Sequence, residues 1–439
     1  MDLFKGYMCA VDIGSSKIAA VVAQTNKGHI VDLWFEQGPC KGVRKGVITD
    51  SIDLVDAVGS VLKKLKGRSG IPLKSVFVNI PGHEIVAKHS RAVIPLAERG
   101  NKVITAMDVE RVNEQARILG SSLDEEIIHQ LPLGYAIDSQ NGIVNPLGLY
   151  SHRLEVDLYL LSAKLSTVQS LNRAINQAGF EIKDLFFSGL SVQRALAKTH
   201  QQQGYVILCD IGSDSTDVLI AKDGFLVEVM TLAIGGDSLT QKLADALSIP
   251  FDLAEDVKRS YGSVIIGQEK NSNKEILVKK NNAYKPIKQA LIVEVLAQEA
   301  RVIGCALQQA ISGYCKQNAG VEVVVAGRTV LLDGFLETLE HALGVSVRLA
   351  RIGVSEEKSD VAKRKLPGNN RLKELLTLVN QESNIIGQKY LTYLTAVGML
   401  SEACLEGDTM LLRPAQAAPH ANPVVGVIQR LKDLYQEYF

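Results

Sequence analysis

One short segment occurs twice in this chain, and it restricts the fold more than any other feature. Residues 7–24 read YMCAVDIGSSKIAAVVAQ and residues 205–222 read YVILCDIGSDSTDVLIAK. Each is an apolar run, then Asp-Ile-Gly-Ser, then a second run rich in β-formers. Two such runs joined by a Gly/Ser turn predict a β-hairpin. Asp12 and Asp210 take the same place in the two copies, so two similar halves are expected, each opening on the same hairpin. The 439 residues suffice for about two to four domains of ordinary size.

The chemistry of such a turn suits phosphate. Gly14 and Gly212 let the backbone bend so that successive N–H groups converge on an anion, and Ser15 and Ser16 add hydroxyl donors. Lys17 adds a point positive charge. Asp12 and Asp210, at the strand ends, are placed to hold a hydrated Mg²⁺ between the halves. A single turn of this kind is equally an ordinary strand connection; two in the same setting point to a phosphate-facing architecture. Two later glycine turns fit. Ile234-Gly235-Gly236-Asp237 precedes SLTQKLADALSI, which has helical apolar spacing. Residues 323–327 (VVVAG) read as a buried strand leading through Arg328 and Thr329 into LLDGFLETLEHALG, an amphipathic helix. A strand, a glycine turn and a helix N-terminus make an anion-facing junction, although either turn taken singly is also a plain βα connection.

Other devices are missing. There is no GK dipeptide for a Walker loop, no GxG to begin a Rossmann fingerprint and no GxSxG elbow. His83-Glu84 lacks a second histidine at HExxH spacing, so it reads as no zinc site. Forty-eight basic residues balance forty-eight acidic ones, which argues against a nucleic-acid partner. No run approaches the ~18 apolar residues of a membrane span, and the N-terminus lacks a signal-peptide pattern. Cys9, Cys40, Cys209, Cys305, Cys315 and Cys404 form no CxxC and read as reduced thiols of a cytoplasmic chain.

These segments carry a resemblance. DIGSSKIAAVVA, GVRKGVITDSIDLVDAV, IIHQLPLGYAIDSQNGIVNPLGLYSHRLEVDLYLL, IGGDSLTQKLADALSIPFDLAEDVKRSYGS and YLTYLTAVGML resemble successive segments of the FtsA family, the actin-like bacterial cell-division proteins that tie the FtsZ ring to the membrane. The resemblance implies an α/β, actin-like (ASKHA) fold with an FtsA-type (SHS2) inserted subdomain. It implies a first actin-like half at 1–82 and 164–195, the insert at 83–163, and a second half at 196–236 and 306–352. A nucleotide-flanking subdomain is expected at 237–305, a polar, solvated insertion at 353–384, a closing core helix at 385–400 and a linker at 401–422. It also implies ATP with Mg²⁺ at Asp12, Gly14, Ser15, Ser16, Lys17, Asp210, Gly212, Ser213, Asp214, Ser215, Gly235, Gly236, Glu255, Lys258, Gly327 and Arg328, with Asp12 and Asp210 acting on the metal through water.

The departures from the family pattern are concentrated at this cleft. The second phosphate segment, usually DIGGGTTD, reads DIGSDSTD, so Ser213 and Asp214 replace glycines. A carboxylate facing a phosphate at about 4 Å and an effective dielectric near 20 is repelled by about 4 kcal/mol per charge pair. The family's Glu-Pro, whose carboxylate helps orient the attacking water, is matched by Ser188-Gly189. The adenosine turn, usually Gly-Gly, is Gly327-Arg328, and a pairing of Arg328 with Asp214 across the cleft is expected. The fold is expected to be kept, ATP hydrolysis to be lost or very slow, and ATP binding is left open.

The C-terminus supplies a further argument. Residues 413–423 (RPAQAAPHANP) read as a linker. In the following VVGVIQRLKDLYQEYF, Val424, Val427, Ile428, Leu431, Leu434, Tyr435, Tyr438 and Phe439 fall within an arc of about 140° at helical spacing. Such a helix at 423–439 lies in a membrane interface or docks on protein, and the resemblance implies the membrane. Lysines at 270, 274, 279, 280, 285 and 288 read as a solvated face, or as a basic surface for the acidic FtsZ C-terminal peptide. The resemblance thus implies a scaffold on the cytoplasmic face of the inner membrane at the division site, self-associating into filaments, binding FtsZ and recruiting later division proteins. A nucleotide-free pseudo-actin adaptor of FtsZ-binding or pilus-assembly type, and a sugar-kinase-like phosphotransferase, are the alternatives.

Overall fold

The computed structural model describes residues 5–97, 100–138, 140–196, 204–223, 225–266, 274–280, 283–315, 320–353, 369–382 and 387–409. The expected linker from 410 onward and the amphipathic segment 423–439 lie outside the described residues.

The repeated segments fold as hairpins, and each opens a five-stranded sheet of the same topology. In the first, Lys5–Ile13, Lys17–Asn26 and His29–Pro39 run as an antiparallel meander, and Ser75–Ile80 then Glu181–Phe187 add in parallel beside Lys5–Ile13. In the second, Tyr205–Ile211, Thr216–Lys222 and Phe225–Leu232 form the meander, and Glu322–Ala326 then Val347–Leu349 add in parallel. Parallel neighbours require crossovers. Helix Ser51–Ser69 supplies one in the first half, and helices Gln289–Cys315 and Phe335–Leu343 supply them in the second.

Helices cover both faces of the first sheet, which explains why residues 18–23 are apolar without alternation and fully buried. Ile18, Ala20 and Val22 pack with Leu54 and Val58 of the crossover helix. Ala19, Val21 and Ala23 belong to the larger core, which also holds the second sheet and the last helix of the described residues. That crossover helix starts where the Asp50 carboxylate accepts from the amides of Ile52 and Asp53, and ends at Gly70 in the left-handed conformation.

Between the two parallel strands of the first sheet the chain makes an excursion. Ile85–Pro95, Glu125–Ile137, Gln140–Ile143 and Arg153–Lys164 form a four-stranded antiparallel sheet. Helix Ala106–Gly120 packs on it around a separate core that includes Val112, Ala116, Leu154 and Leu160.

Two boundaries differ from the sequence reading. The stretch 353–384, expected to be solvated, contains helix Asn369–Gln381 with Leu375 and Val379 buried. It docks on the first meander, where Glu374 accepts from the Ile30 amide at 2.9 Å and Arg371 donates to the Gly28 carbonyl. Leucines at helical spacing within a charged window were the overlooked signal. The closing helix, expected at 385–400, runs Leu394–Thr409. It therefore takes in the start of the expected linker.

Candidate functional site

The two hairpin turns repeat in backbone bonding as well as in sequence. The Gly14 amide donates to Lys17 O, and the Gly212 amide donates to Ser215 O, each at 2.9 Å. Beyond that they diverge. In the first turn Lys17 Nζ lies 2.7 Å from buried Asp12 Oδ2 and donates to the Thr392 carbonyl at 2.5 Å. The ammonium expected to face phosphate is thus already bound by a carboxylate and a carbonyl.

In the second hairpin Asp210 stands directly across the strands from Asp217. Burial, then the charges of Asp217 and Asp12, push the Asp210 carboxyl up to about 7. Burial pushes Asp217 up to about 6 despite the Thr231 hydroxyl that donates to it at 2.9 Å. Asp12 and Asp210 come from opposite halves and are close enough for one to act on the other. A hydrated divalent cation between them would relieve that repulsion.

Glycines close around the second turn. Gly236 N–H donates to Gly212 O at 3.0 Å, and Thr329 Oγ1 donates to the same carbonyl at 2.7 Å. A Cβ at Gly235 would lie 2.8 Å from the carbonyl oxygens of Gly212 and Ser213. Gly327 has φ +89°, and a Cβ there would meet Ile211 O at 2.1 Å, so this position needs glycine for its conformation and for its close approach. Strand Glu322–Ala326 leads through Gly327 into a single 3₁₀ turn, Arg328–Leu331, and the α-helix begins only at Phe335. The expected junction of glycine turn and helix N-terminus is therefore absent there; Asp333-Gly334 interrupts it.

Glu255 and Lys258 sit behind the turn. Lys258 Nζ bonds Glu255 Oε2 at 2.6 Å, Thr240 Oγ1 at 2.7 Å and the Gly236 carbonyl at 2.9 Å, so this pair fixes the Gly235-Gly236 loop. Ser188 lies elsewhere. It is buried, accepts from Asn79 Nδ2 at 2.9 Å and donates to Ile80 O at 3.0 Å. Asn79 in turn accepts from the Ile13 amide at 2.6 Å. Ser188, which the resemblance sets at the water-orienting position, thus has its hydroxyl already used in a buried network.

The expected Arg328–Asp214 pair does not form. Arg328 Nη2 donates to Ser16 Oγ at 3.0 Å, and Asp214 Oδ2 accepts from the Lys45 backbone amide. Both side chains cross to the first half, but to different partners. Lys45, Asn79, Asp217 and Thr392 are site residues that the sequence reading missed. Asp217 had a signal, as the last residue of the DIGSDSTD segment; a backbone carbonyl such as that of Thr392 has none.

A duplicated five-strand sheet whose two opening turns each meet the opposite half defines an actin-like protein. The protein of the PilM–PilN type IV pilus biogenesis complex shares the fold, with a TM-score of 0.56 and 15% identity over 89% of this chain and 98% of that one. The family model "Cell division protein FtsA" matches residues 207–391, and that of the "SHS2 domain inserted in FTSA" matches residues 82–162. The cell division protein FtsA of Pseudomonas aeruginosa is 25% identical over 77% of this chain and 81% of its own. That of Bacillus subtilis is 26% identical over 90% and 83%. The chain belongs to the FtsA family of actin-like cell-division proteins, and the excursion from the first sheet is its SHS2 insert.

Proposed function

We propose that this chain is a division scaffold that polymerises in an actin-like manner on the cytoplasmic face of the bacterial inner membrane, anchors the FtsZ ring and recruits later division proteins. The observation that carries this reading is the SHS2 insert, folded on its own core between the parallel strands of an actin-like half. No helix among the described residues is long and apolar enough to cross a membrane. Membrane contact is assigned instead to residues 424–439, through burial of their apolar arc. Arg430 and Lys432 are offset by Asp433 and Glu437, so lipid charge adds little, and many protomers must act together. Sedimentation with vesicles of mixed zwitterionic and anionic lipid tests the anchor. The full chain is expected to pellet at least tenfold more than residues 1–423; equal pelleting removes the anchor from the reading.

ATP with Mg²⁺ fits the cleft in part. Asp12 and Asp210 suit a hydrated cation, but the second turn offers a phosphate little. The amides of Gly212, Gly236 and Asp237 are already donated to carbonyls, and Asp214 brings a negative charge. With Ser188 in place of a water-orienting carboxylate, hydrolysis is absent or very slow, and the protein acts by assembly rather than by turnover. The cation's contribution, when bound, is to neutralise the acidic pair.

The FtsZ C-terminal peptide is assigned to the hairpin of Glu275–Lys280 and Ala283–Lys288. Lys285 is already engaged, donating to Leu247 O at 2.8 Å, so the test falls on Lys279 and Lys280, whose side chains lie outside the described residues. Replacing both by glutamate is expected to weaken binding of an acidic FtsZ tail peptide at least tenfold in low salt. Unchanged affinity would remove this surface from the assignment.

A further inference from the structure

We propose that Asp214 and Arg328 form a latch that holds the two halves closed through the protein's own groups, independently of nucleotide. Asp214 stands on the opening turn of the second half and Arg328 at the start of its 3₁₀ turn, and each bonds a group of the first half. The Asp214 carboxylate accepts from the Lys45 amide, and the Arg328 guanidinium donates to the Ser16 hydroxyl at 3.0 Å. The sequence reading sets both residues toward a ligand, whereas here each reaches a group of the opposite half.

The loop that meets Asp214 is shaped for that contact. Lys45 has φ +49° and Gly46 has φ +74°, and a lysine in the left-handed region is retained only where its surroundings impose it. The surroundings do so here. The amides of Thr49 and Asp50 donate to the Gly42 carbonyl at 2.8 and 3.1 Å, and a Cβ at Gly42 would lie 2.1 Å from Asp50 O. The loop is thus closed on itself, with the Lys45 amide donated to Asp214 and the next amide, of Gly46, directed at Ser15 Oγ, 3.4 Å away. One loop of the first half therefore touches both opening turns.

The guanidinium stands there at a cost to its charged form. Burial and the charge of Arg259 lower the Arg328 pKa, while Glu255 and Asp12 oppose that change. The latch is thus one charge-assisted bond at each of two loops, beside contacts that join the halves elsewhere. Tyr159 Oη of the insert accepts from the Val229 amide at 3.2 Å. Gly82 is pressed so closely on Asp217 that a Cβ would lie 2.1 Å from its carboxylate.

Amide hydrogen exchange of the full chain, read on peptides covering residues 43–48, tests the proposal. In the unaltered protein exchange in this segment is expected to be slow and to change less than twofold on adding ATP with Mg²⁺. In the Asp214→Gly/Arg328→Gly variant it is expected to be at least tenfold faster, with strand Tyr205–Ile211 still protected. Asp214→Asn keeps an acceptor oxygen and is expected to keep the protection. Unchanged exchange in the double variant would overturn the latch. So would a tenfold slowing in the unaltered protein on adding ATP with Mg²⁺, an arm that stands even if the double variant fails to fold. None of these readouts involves lipid, so the scaffold reading and the latch fail separately.

Discussion

Replacing Gly398 by alanine is expected to destabilise the fold by about 3 kcal/mol, the upper end of what an added methyl costs in a packed interior. Gly398 lies on helix Leu394–Thr409 where it crosses helix Ser188–Ala195. A Cβ there would sit 1.7 Å from the Ser191 carbonyl oxygen and 2.4 Å from its carbon. The obstacle is helical backbone, which has no rotamer to adopt, so one helix must shift. Both helices are buried on the core that joins the two sheets, and the displacement spreads to Leu190, Val192, Val397 and Leu400. Gly59, in the middle of helix Ser51–Ser69, is the internal comparison. A Cβ there meets nothing within 4 Å, so Gly59→Ala is expected to gain about 0.5–1 kcal/mol from helix propensity. Denaturant midpoints should move in opposite directions for the two variants. Equal midpoints would show that the crossing is not as tight as described.

Asp210→Asn is expected to stabilise the protein by about 2–4 kcal/mol at pH 8 and to change little at pH 4. In the native protein burial, then the charges of Asp217 and Asp12, push Asp210 up to about 7, and burial pushes Asp217 up to about 6, whereas an unfolded chain releases both near pH 4. Between these limits the native state binds more protons than the unfolded state, so stability falls as pH rises. The favourable contribution is complete below about pH 4 and is lost by about pH 7, at about 1.4 kcal/mol for each pH unit separating the folded and unfolded values. An asparagine carries no charge to confine and leaves the neighbouring carboxylates less opposed. Unfolding free energies measured from pH 4 to pH 8 should show the slope in the unaltered protein and a shallower one in the variant. A variant less stable at pH 8 than the parent would mean that the Asp210 charge is compensated where it stands.

Much of the architecture could be read from sequence because the physics that makes it is local. The two hairpins need only apolar runs and a glycine turn, and the insert is contained in one continuous segment. Helix Gly236–Leu247 begins where its glycine pair predicts. The site was less legible. Arg328 and Asp214 are recognisable as departures from a pattern, but their partners, a serine hydroxyl and a backbone amide, are chosen by how two distant loops meet. Lys45 has no sequence mark for its left-handed conformation beyond the glycine that follows it. The turn that holds Lys17 suggests phosphate as its partner, whereas the groups that bind it are Asp12 nearby and a carbonyl of the distant residue 392. Helix Asn369–Gln381 was hidden by the charges around it, although Leu372, Leu375, Leu376 and Val379 have helical spacing.

The duplication also makes each hairpin a built-in comparison for the other. Asp12 faces Ala19 across its strands, and Asp210 faces Asp217; position 17 holds a cation, and its counterpart 215 a hydroxyl. The same motif therefore stands once as a neutralised member, with Lys17 on Asp12, and once as an acidic one. Asp217→Ala would give the second hairpin the pairing of the first, whereas Ala19→Asp would set a second carboxylate at a fully buried position of the core.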